Sequence, residues 1–192
     1  LLNFDNLGLS VIEISHRSAN FVAVMEEARS LVKELLNVPE GYTVLFLGGG
    51  ASTGFLTVAY NMIRENKRAA YRDTGAWANK ASKEVTYVGE MDIVASSKDK
   101  NYSYIPKNIV AGSEYDYLHF TSNNTISGTQ FKEMPKVDIP LVCDMSSDIF
   151  SRKINVADFD IIYAGAQKNM GPAGTAVYIV KEEILGKSSV NV

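Results

Sequence analysis

The sequence predicts an α/β protein built around a mostly parallel sheet. Several short apolar runs lack any polar–apolar alternation, which is typical of strands buried on both faces. These runs are interleaved with longer segments whose apolar residues follow helical spacing. With 192 residues, 46% of them hydrophobic, the chain can form one sizeable core.

The first half of the chain predicts three helices and four strands. A helix is predicted over 18–36, and the segment "NVPEGY" ends it. Further helices are predicted over 52–63 and 77–84, with strands at 43–47, 68–72, 85–89 and 92–96. The first helix depends on the spacing of Phe21, Val24, Met25, Ala28, Leu31, Val32 and Leu35.

The second half of the sequence predicts four more strands. They lie at 117–121, 140–144, 160–164 and 175–180. Ligands of parallel sheets gather beyond the carboxyl ends of the strands, so the polar residues at those ends are the candidates for function. They fall in 48–53, 73–77, 122–125, 144–147 and 167–168.

Composition argues against several classes of partner. The net charge of −3 gives no basic field for nucleic acid. No apolar stretch approaches the 18 or so residues of a membrane span. His16 and His119 lie far apart without ligand spacing, so we expect no metal site. Cys143 is the single cysteine and no signal peptide is visible, so we expect a reducing, cytoplasmic location.

The stretch "LFLGGGASTGF" resembles a strand, a glycine turn and a helix start. Glycines allow close backbone approach, and a helix N-terminus favours an anion such as phosphate. The spacing fits neither the Walker A loop nor the dinucleotide-binding fingerprint. At this point a phosphate site and a simple tight turn remain equally open.

Three other strand ends, and the segment just before the first predicted helix, each carry a group that has a structural and a functional interpretation. Asp144 ends a buried strand; its partner is either an arginine or the N–H groups of the next turn, or else a protonated ring nitrogen. Trp77 is either a core residue or a plate for a flat ring. Thr125 is either part of an ordinary turn or a hydroxyl donor. Arg17 is either solvated or a clamp for an acidic group.

The stretch "YAGAQKNMGPAG" favours the functional interpretations. Lys168 follows a predicted strand and has small neighbours, which leave room for a ligand. An amine in this setting suits formation of a Schiff base. A lysine for an aldehyde, an aspartate for a pyridinium, a glycine turn for phosphate and an aromatic plate together describe pyridoxal 5′-phosphate (PLP). The 24-residue interval from Asp144 to Lys168 predicts that they follow neighbouring strands.

The motifs "ISHRS", "LLNVPEGY", "VLFLGGGAS", "TGAW", "DMSSDIFSR" and "YAGAQKNMGPAG" closely resemble the phosphoserine aminotransferase family. The resemblance implies the three-layer α/β/α large domain of the aspartate-aminotransferase-like fold, with a seven-stranded sheet. It implies PLP, bound to the catalytic Lys168 and contacted by Ala51, Ser52, Trp77, Thr125, Asp144 and Gln167. Arg17, with His16 beside it, would bind the substrate's acidic groups.

The resemblance also implies an activity, substrates and a partner. The activity is amino transfer between glutamate and 3-phosphohydroxypyruvate, which gives phosphoserine; in bacteria a related step leads toward PLP itself. We expect a homodimer in which residues 1–192 are the cofactor-binding large domain, without the family's N-terminal substrate segment and C-terminal small domain. We therefore expect this segment alone to be inactive.

Two alternatives remain open on sequence. One is another enzyme of the same PLP fold, such as a cysteine desulfurase or an alanine–glyoxylate aminotransferase. The other is a non-catalytic module that binds PLP or only dimerises.

Overall fold

The computed structural model describes residues 3–107 and 109–190. Three α-helices and nine strands form in this part of the chain. The helices are α1 (Ala19–Leu36), α2 (Ala51–Met62) and α3 (Ala76–Glu84). The strands are β1 (Tyr42–Gly48), β2 (Arg68–Asp73), β3 (Glu90–Ser96), β4 (Tyr117–Thr121), β5 (Asn123–Asn124), β6 (Thr129–Gln130), β7 (Leu141–Asp144), β8 (Ile161–Gly165) and β9 (Thr175–Lys181).

Seven of the strands form one mixed sheet in the order β1-β9-β8-β7-β4-β2-β3. The pairs from β8 to β3 are parallel, and β9 runs antiparallel to both of its neighbours. Strand β1 therefore points the same way as β8. As a result, the carboxyl ends of β1, β2, β4, β7 and β8 meet at one edge of the sheet, as the sequence predicts.

Both faces of the sheet are covered, which gives three layers. Helix α1 packs on one face through Val32 and Leu36, in a cluster that includes Phe120 and Ile162. Helices α2 and α3 pack on the other face, where Tyr163 is fully buried. Successive strand residues alternate between the two clusters, which explains why these strands read as continuous apolar runs.

One predicted strand is wrong. The segment 85–89 does not pair; Val85–Tyr87 is a 3-10 turn that continues α3. The buried positions 78, 81, 82 and 85 have helical spacing, so Val85 packs on the helical side of the sheet. Strand β3 begins only after this turn, at Glu90. Strands β5 and β6, a short hairpin after β4, were not expected from the sequence.

A buried histidine lies in the centre of the face that α2 and α3 cover. The imidazole of His119 stacks on Tyr71 with ring centroids 4.9 Å apart, and Nε2 is 2.8 Å from the hydroxyl of Tyr163. Burial lowers the pKa of His119 to about 3. The folded protein therefore keeps this ring neutral at any pH well above that value.

We expect this histidine to make the fold less stable in mild acid. Below pH 6.5 the unfolded chain takes up the proton and the folded chain does not, so stability is lost as the pH falls from about 6.5 toward 3. At about 1.4 kcal/mol per pH unit, the loss by pH 5 is about 2 kcal/mol. Urea unfolding of the wild type and of His119→Gln, at neutral pH and at pH 5, measures this loss of stability. An equal loss in the variant would contradict the assignment to His119.

Candidate active-site cleft

A cleft lies at the sheet edge where the parallel strands end. Its walls come from all five polar segments that the sequence singles out. The residues lining it are Gly50, Ala51, Ser52, Phe55, Trp77, Thr121, Asn123, Thr125, Asp144, Ser146, Ser147, Gln167 and Lys168. Seven of these are the predicted cofactor-binding residues, so the topology gathers that whole set in one place.

Lys168 projects from the turn after β8. Its Nζ donates a hydrogen bond to Thr125 Oγ1 at 2.8 Å and lies 6.0 Å from the ring centroid of Trp77. Trp77 is 39% exposed, so it is not the core residue that a lone tryptophan usually is. The amine of Lys168, the hydroxyl of Thr125 and the indole of Trp77 thus face the same part of the cleft.

Asp144 forms the floor of the cleft at the end of β7, and its side chain is only 3% exposed. Its Oδ1 accepts hydrogen bonds from the backbone N–H and the hydroxyl of Ser146, at 2.9 and 2.5 Å. Among the described residues, every hydrogen bond to this side chain goes to Oδ1, which leaves Oδ2 without a protein partner. The two interpretations of Asp144 therefore do not exclude each other, because one oxygen holds the turn and the other is free for a ligand.

Burial and charge act on Asp144 in opposite directions. Burial raises the pKa of the carboxyl, whereas the hydrogen bonds from Ser146 and the charge of Lys168 lower it, and burial dominates. A cationic partner in the cleft would therefore stabilise the carboxylate. Asp144 is the last residue of β7 and Lys168 follows the adjacent strand β8, as their 24-residue spacing predicts.

The glycine turn between β1 and α2 forms one end of the cleft. Gly49 has φ +102°, a conformation that favours glycine, and Gly50 precedes the first helical residue, Ala51. No acidic side chain lies in the first turn of α2. The N–H groups at this helix start lack intrahelical acceptors and are available to an anion. Lys80 adds a positive charge, with Nζ 3.2 Å from Ser52 Oγ.

Close backbone approach brings this turn against the lysine loop. A Cβ at Gly165, the last residue of β8, would lie 3.2 Å from the backbone nitrogen of Ala51 and 2.8 Å from Gln167 Oε1. Any larger residue would push the anion end of the cleft away from Lys168. Glycine at this position thus sets the distance between the two ends of the site.

The structure adds one residue that the sequence reasoning missed. Thr121 pairs with Asp144 in the sheet register, is buried, and lines the cleft, yet its Oγ1 has no hydrogen-bond partner. A polar residue at the end of a predicted buried strand was the available signal. An unpartnered buried hydroxyl is costly unless a ligand or water completes it.

Arg17 lies elsewhere. It is exposed, precedes α1, and is not among the residues that line the cleft of its own chain. His16 is exposed beside it. No group of three or more potential metal ligands occurs in residues 3–107 and 109–190. Within the same residues, no helix is both long enough and apolar enough to span a bilayer.

The fold and cleft define an aminotransferase-type α/β protein. The structure of an aspartate aminotransferase from Thermus thermophilus superposes with a TM-score of 0.75 over 94% of this chain; at 19% identity, this likeness concerns the fold alone. The chain belongs to the aminotransferase class-V family, whose model matches residues 4–190.

Within this family, the chain is highly similar to curated proteins that are named phosphoserine aminotransferase. The chain is 62% identical to a phosphoserine aminotransferase of Flavobacterium psychrophilum and 53% identical to one of Bacteroides fragilis, each over 98% of this chain and 53% of the relative. The chain thus spans about half the length of these proteins.

Solved structures agree with the curated relatives. The phosphoserine aminotransferase of Bacillus circulans subsp. alkalophilus is 45% identical with a TM-score of 0.93, over 97% of this chain and 52% of that one. A PLP-bound phosphoserine aminotransferase from Trichomonas vaginalis is 34% identical with a TM-score of 0.89, over 96% and 53%.

Proposed function

We propose that the cleft binds PLP and that the chain is the cofactor-binding large domain of a phosphoserine aminotransferase. The reaction is amino transfer between glutamate and 3-phosphohydroxypyruvate, giving 2-oxoglutarate and O-phosphoserine. The observation that carries the proposal is the placement of the Lys168 amine, held by Thr125 beside Trp77, in the cleft that Asp144 also lines. The high identity to proteins of that name supports it.

The residues of the cleft fit this cofactor. The buried Oγ1 of Thr121 has no hydrogen-bond partner, and the hydrogen bonds that Asp144 accepts from Ser146 leave its Oδ2 open, so a polar ligand could complete both atoms on the walls of the cleft. The open N-terminus of α2, with Lys80 nearby, suits a phosphate group. Trp77 offers a flat, half-exposed face for a ring.

Each residue then has a distinct part in the chemistry. When bound, PLP supplies an aldehyde that links to an amine and a ring that accepts the electrons of the broken bond at the substrate carbon. Lys168 would hold the cofactor through its amine and would carry a proton to or from the substrate carbon. Asp144 would keep a proton on the ring nitrogen. Thr125 orients the Lys168 amine, and the turn at Ala51 and Ser52 anchors the phosphate.

The position of Arg17 outside the cleft of its own chain leads to a proposal about the oligomeric state. We propose that Arg17 binds the acidic groups of the substrate, together with His16. Because it does not line the cleft of its own chain, we propose that it enters the cleft of a second copy in a homodimer. We further propose small-molecule substrates, a cytoplasmic location and, in bacteria, the related phosphohydroxythreonine step. The buried, unpaired thiol of Cys143 supports a reducing compartment.

A substrate test decides the proposal. PLP is added to a fusion in which residues 1–192 replace the matching half of the Flavobacterium psychrophilum relative. We expect a visible absorbance band that is lost, or discharged, when O-phosphoserine or glutamate is added. Cysteine and alanine, in matched reactions, should leave it essentially unchanged.

The remaining outcomes separate the alternatives. Discharge by cysteine with release of sulfide would indicate a desulfurase, and discharge by alanine with glyoxylate as acceptor would indicate an alanine–glyoxylate aminotransferase. A stable band that no amino acid discharges would indicate a non-catalytic PLP-binding module.

A further inference from the structure

A second groove lies on the face of the sheet opposite α2 and α3. Its volume is about 530 Å³, within the range of about 300–1,000 Å³ that is usual for small-molecule sites. It shares no lining residue with the cleft of Lys168. The groove is lined by Arg72, Ile105, Pro106, Lys107, Ile109, Gln130, Phe131, Lys132, Glu133, Met134, Pro135 and Lys136.

Arg72 forms the base of this groove and is only 3% exposed. Its guanidinium stacks on Phe131, with Cζ 4.4 Å from the ring centroid, and Nη2 donates to the carbonyl of Pro106. The buried Nε has no hydrogen-bond partner. In the described part of the chain, no carboxylate forms a salt bridge with Arg72.

A buried cation without an anion is unfavourable. Burial lowers the pKa of Arg72 to about 10, so the guanidinium still carries its charge at neutral pH. The stack on Phe131 and the bond to Pro106 offset only part of the desolvation cost, which is several kcal/mol for an unpaired ion. The structure therefore holds a charge at the base of an open groove that an incoming anion would neutralise.

The rim of the groove is positively charged, like Arg72 at its base. Lys107, Lys132 and Lys136 are exposed there, against a single acidic side chain, Glu133. The chain as a whole has a net charge of −3, so three lysines and an arginine around one groove run against its overall balance. Such a local field raises the concentration of anions at the groove.

We propose that this groove binds a small polyanion, with one carboxylate or phosphate group on Arg72 and a second on Lys132 and Lys136. The planar guanidinium matches both oxyanions, and the volume exceeds what a single inorganic ion needs. The proposal is independent of the reaction at Lys168, because the two sites have no residue in common.

Isothermal titration calorimetry of the 192-residue chain at fixed ionic strength tests the proposal, with citrate and pyrophosphate as probes and acetate as the monoanion. We expect saturable binding of at least one polyanion, and acetate at least tenfold weaker. Arg72→Leu should weaken polyanion binding at least tenfold, and Lys132→Gln with Lys136→Gln about threefold to tenfold. The charge-matched control, Lys83→Gln with Lys187→Gln, changes two exposed lysines elsewhere and should alter affinity less than twofold.

The probes also separate the sources of the ligand, because citrate alone would indicate a polycarboxylate and pyrophosphate alone a phosphate compound. Binding that Arg72→Leu leaves unchanged would mean that the anion binds outside this groove and would overturn the proposal. Absence of saturable binding, or equal loss in the control, would overturn it as well. If Arg72→Leu does not fold, Arg72→Lys replaces it, since it keeps the charge but loses the planar fork, and the rim variants are read in parallel.

Discussion

Replacing Lys168 with alanine is expected to abolish covalent attachment of PLP and to remove transamination entirely. The amine of Lys168 is held over the cleft by Thr125 and forms the attachment in the proposed mechanism. The same amine moves the proton at the substrate carbon, so a single truncation removes two functions. After borohydride reduction, mass spectrometry should place the pyridoxyl group on Lys168 in the wild type and on no residue of the variant.

Lys80 is the matched control for this experiment. It is also a lysine near the cleft, with Nζ 5.9 Å from the ring centroid of Trp77 and 3.2 Å from Ser52 Oγ. Lys80→Ala should keep the attachment at Lys168 and weaken cofactor affinity at most modestly. A pyridoxyl group found on Lys80 in the wild-type chain would mean that the wrong lysine has been assigned.

Much of this site could be predicted from the sequence because strand ends are visible in it. A buried parallel strand reads as an apolar run, and the first polar residue after it must lie at the carboxyl edge of the sheet. That reasoning places Asp144 and Lys168 on neighbouring strands, and the adjacent strands β7 and β8 confirm the placement. The glycine turn follows from the same reasoning.

The features of the fold and the site that the sequence does not predict depend on contacts between distant parts of the chain. The segment 85–89 is as apolar as a strand, but Val85 completes the buried face of α3, which only the packed structure reveals. Thr121 is indistinguishable from any strand-end threonine until its register with Asp144 is known. Arg72 lies in an apolar strand and would be expected to point to solvent. Its burial over Phe131 depends on how residues 105–107, 109 and 130–136 cover that face.

Replacing Asp144 with asparagine is expected to leave PLP bound but to slow the reaction by at least about a hundredfold, roughly 3 kcal/mol of transition-state stabilisation. A carboxylate keeps the ring nitrogen protonated, whereas an amide does so poorly. Without that proton, the ring stabilises the electrons of the broken bond less well. The amide oxygen can still accept the bonds from Ser146, so the turn should survive. Single-turnover rates with O-phosphoserine in the fusion measure the loss, and the absorbance spectrum of the bound cofactor shows independently whether the ring has lost its proton.

Asp148→Asn separates this electronic role from a structural one. Asp148 is also a buried carboxylate, but it bonds Ser122, Gln130 and Arg152 and does not line the cleft. Its replacement should reduce stability, because it removes a charge from a partly buried salt bridge, while the rate per folded molecule stays within a few-fold of wild type. Near-normal turnover in Asp144→Asn, or an equal loss of rate in both variants, would mean that Asp144 serves only to hold the turn at Ser146. A large loss confined to Asp144→Asn, with a changed cofactor spectrum, is the result that the free oxygen of this carboxylate predicts.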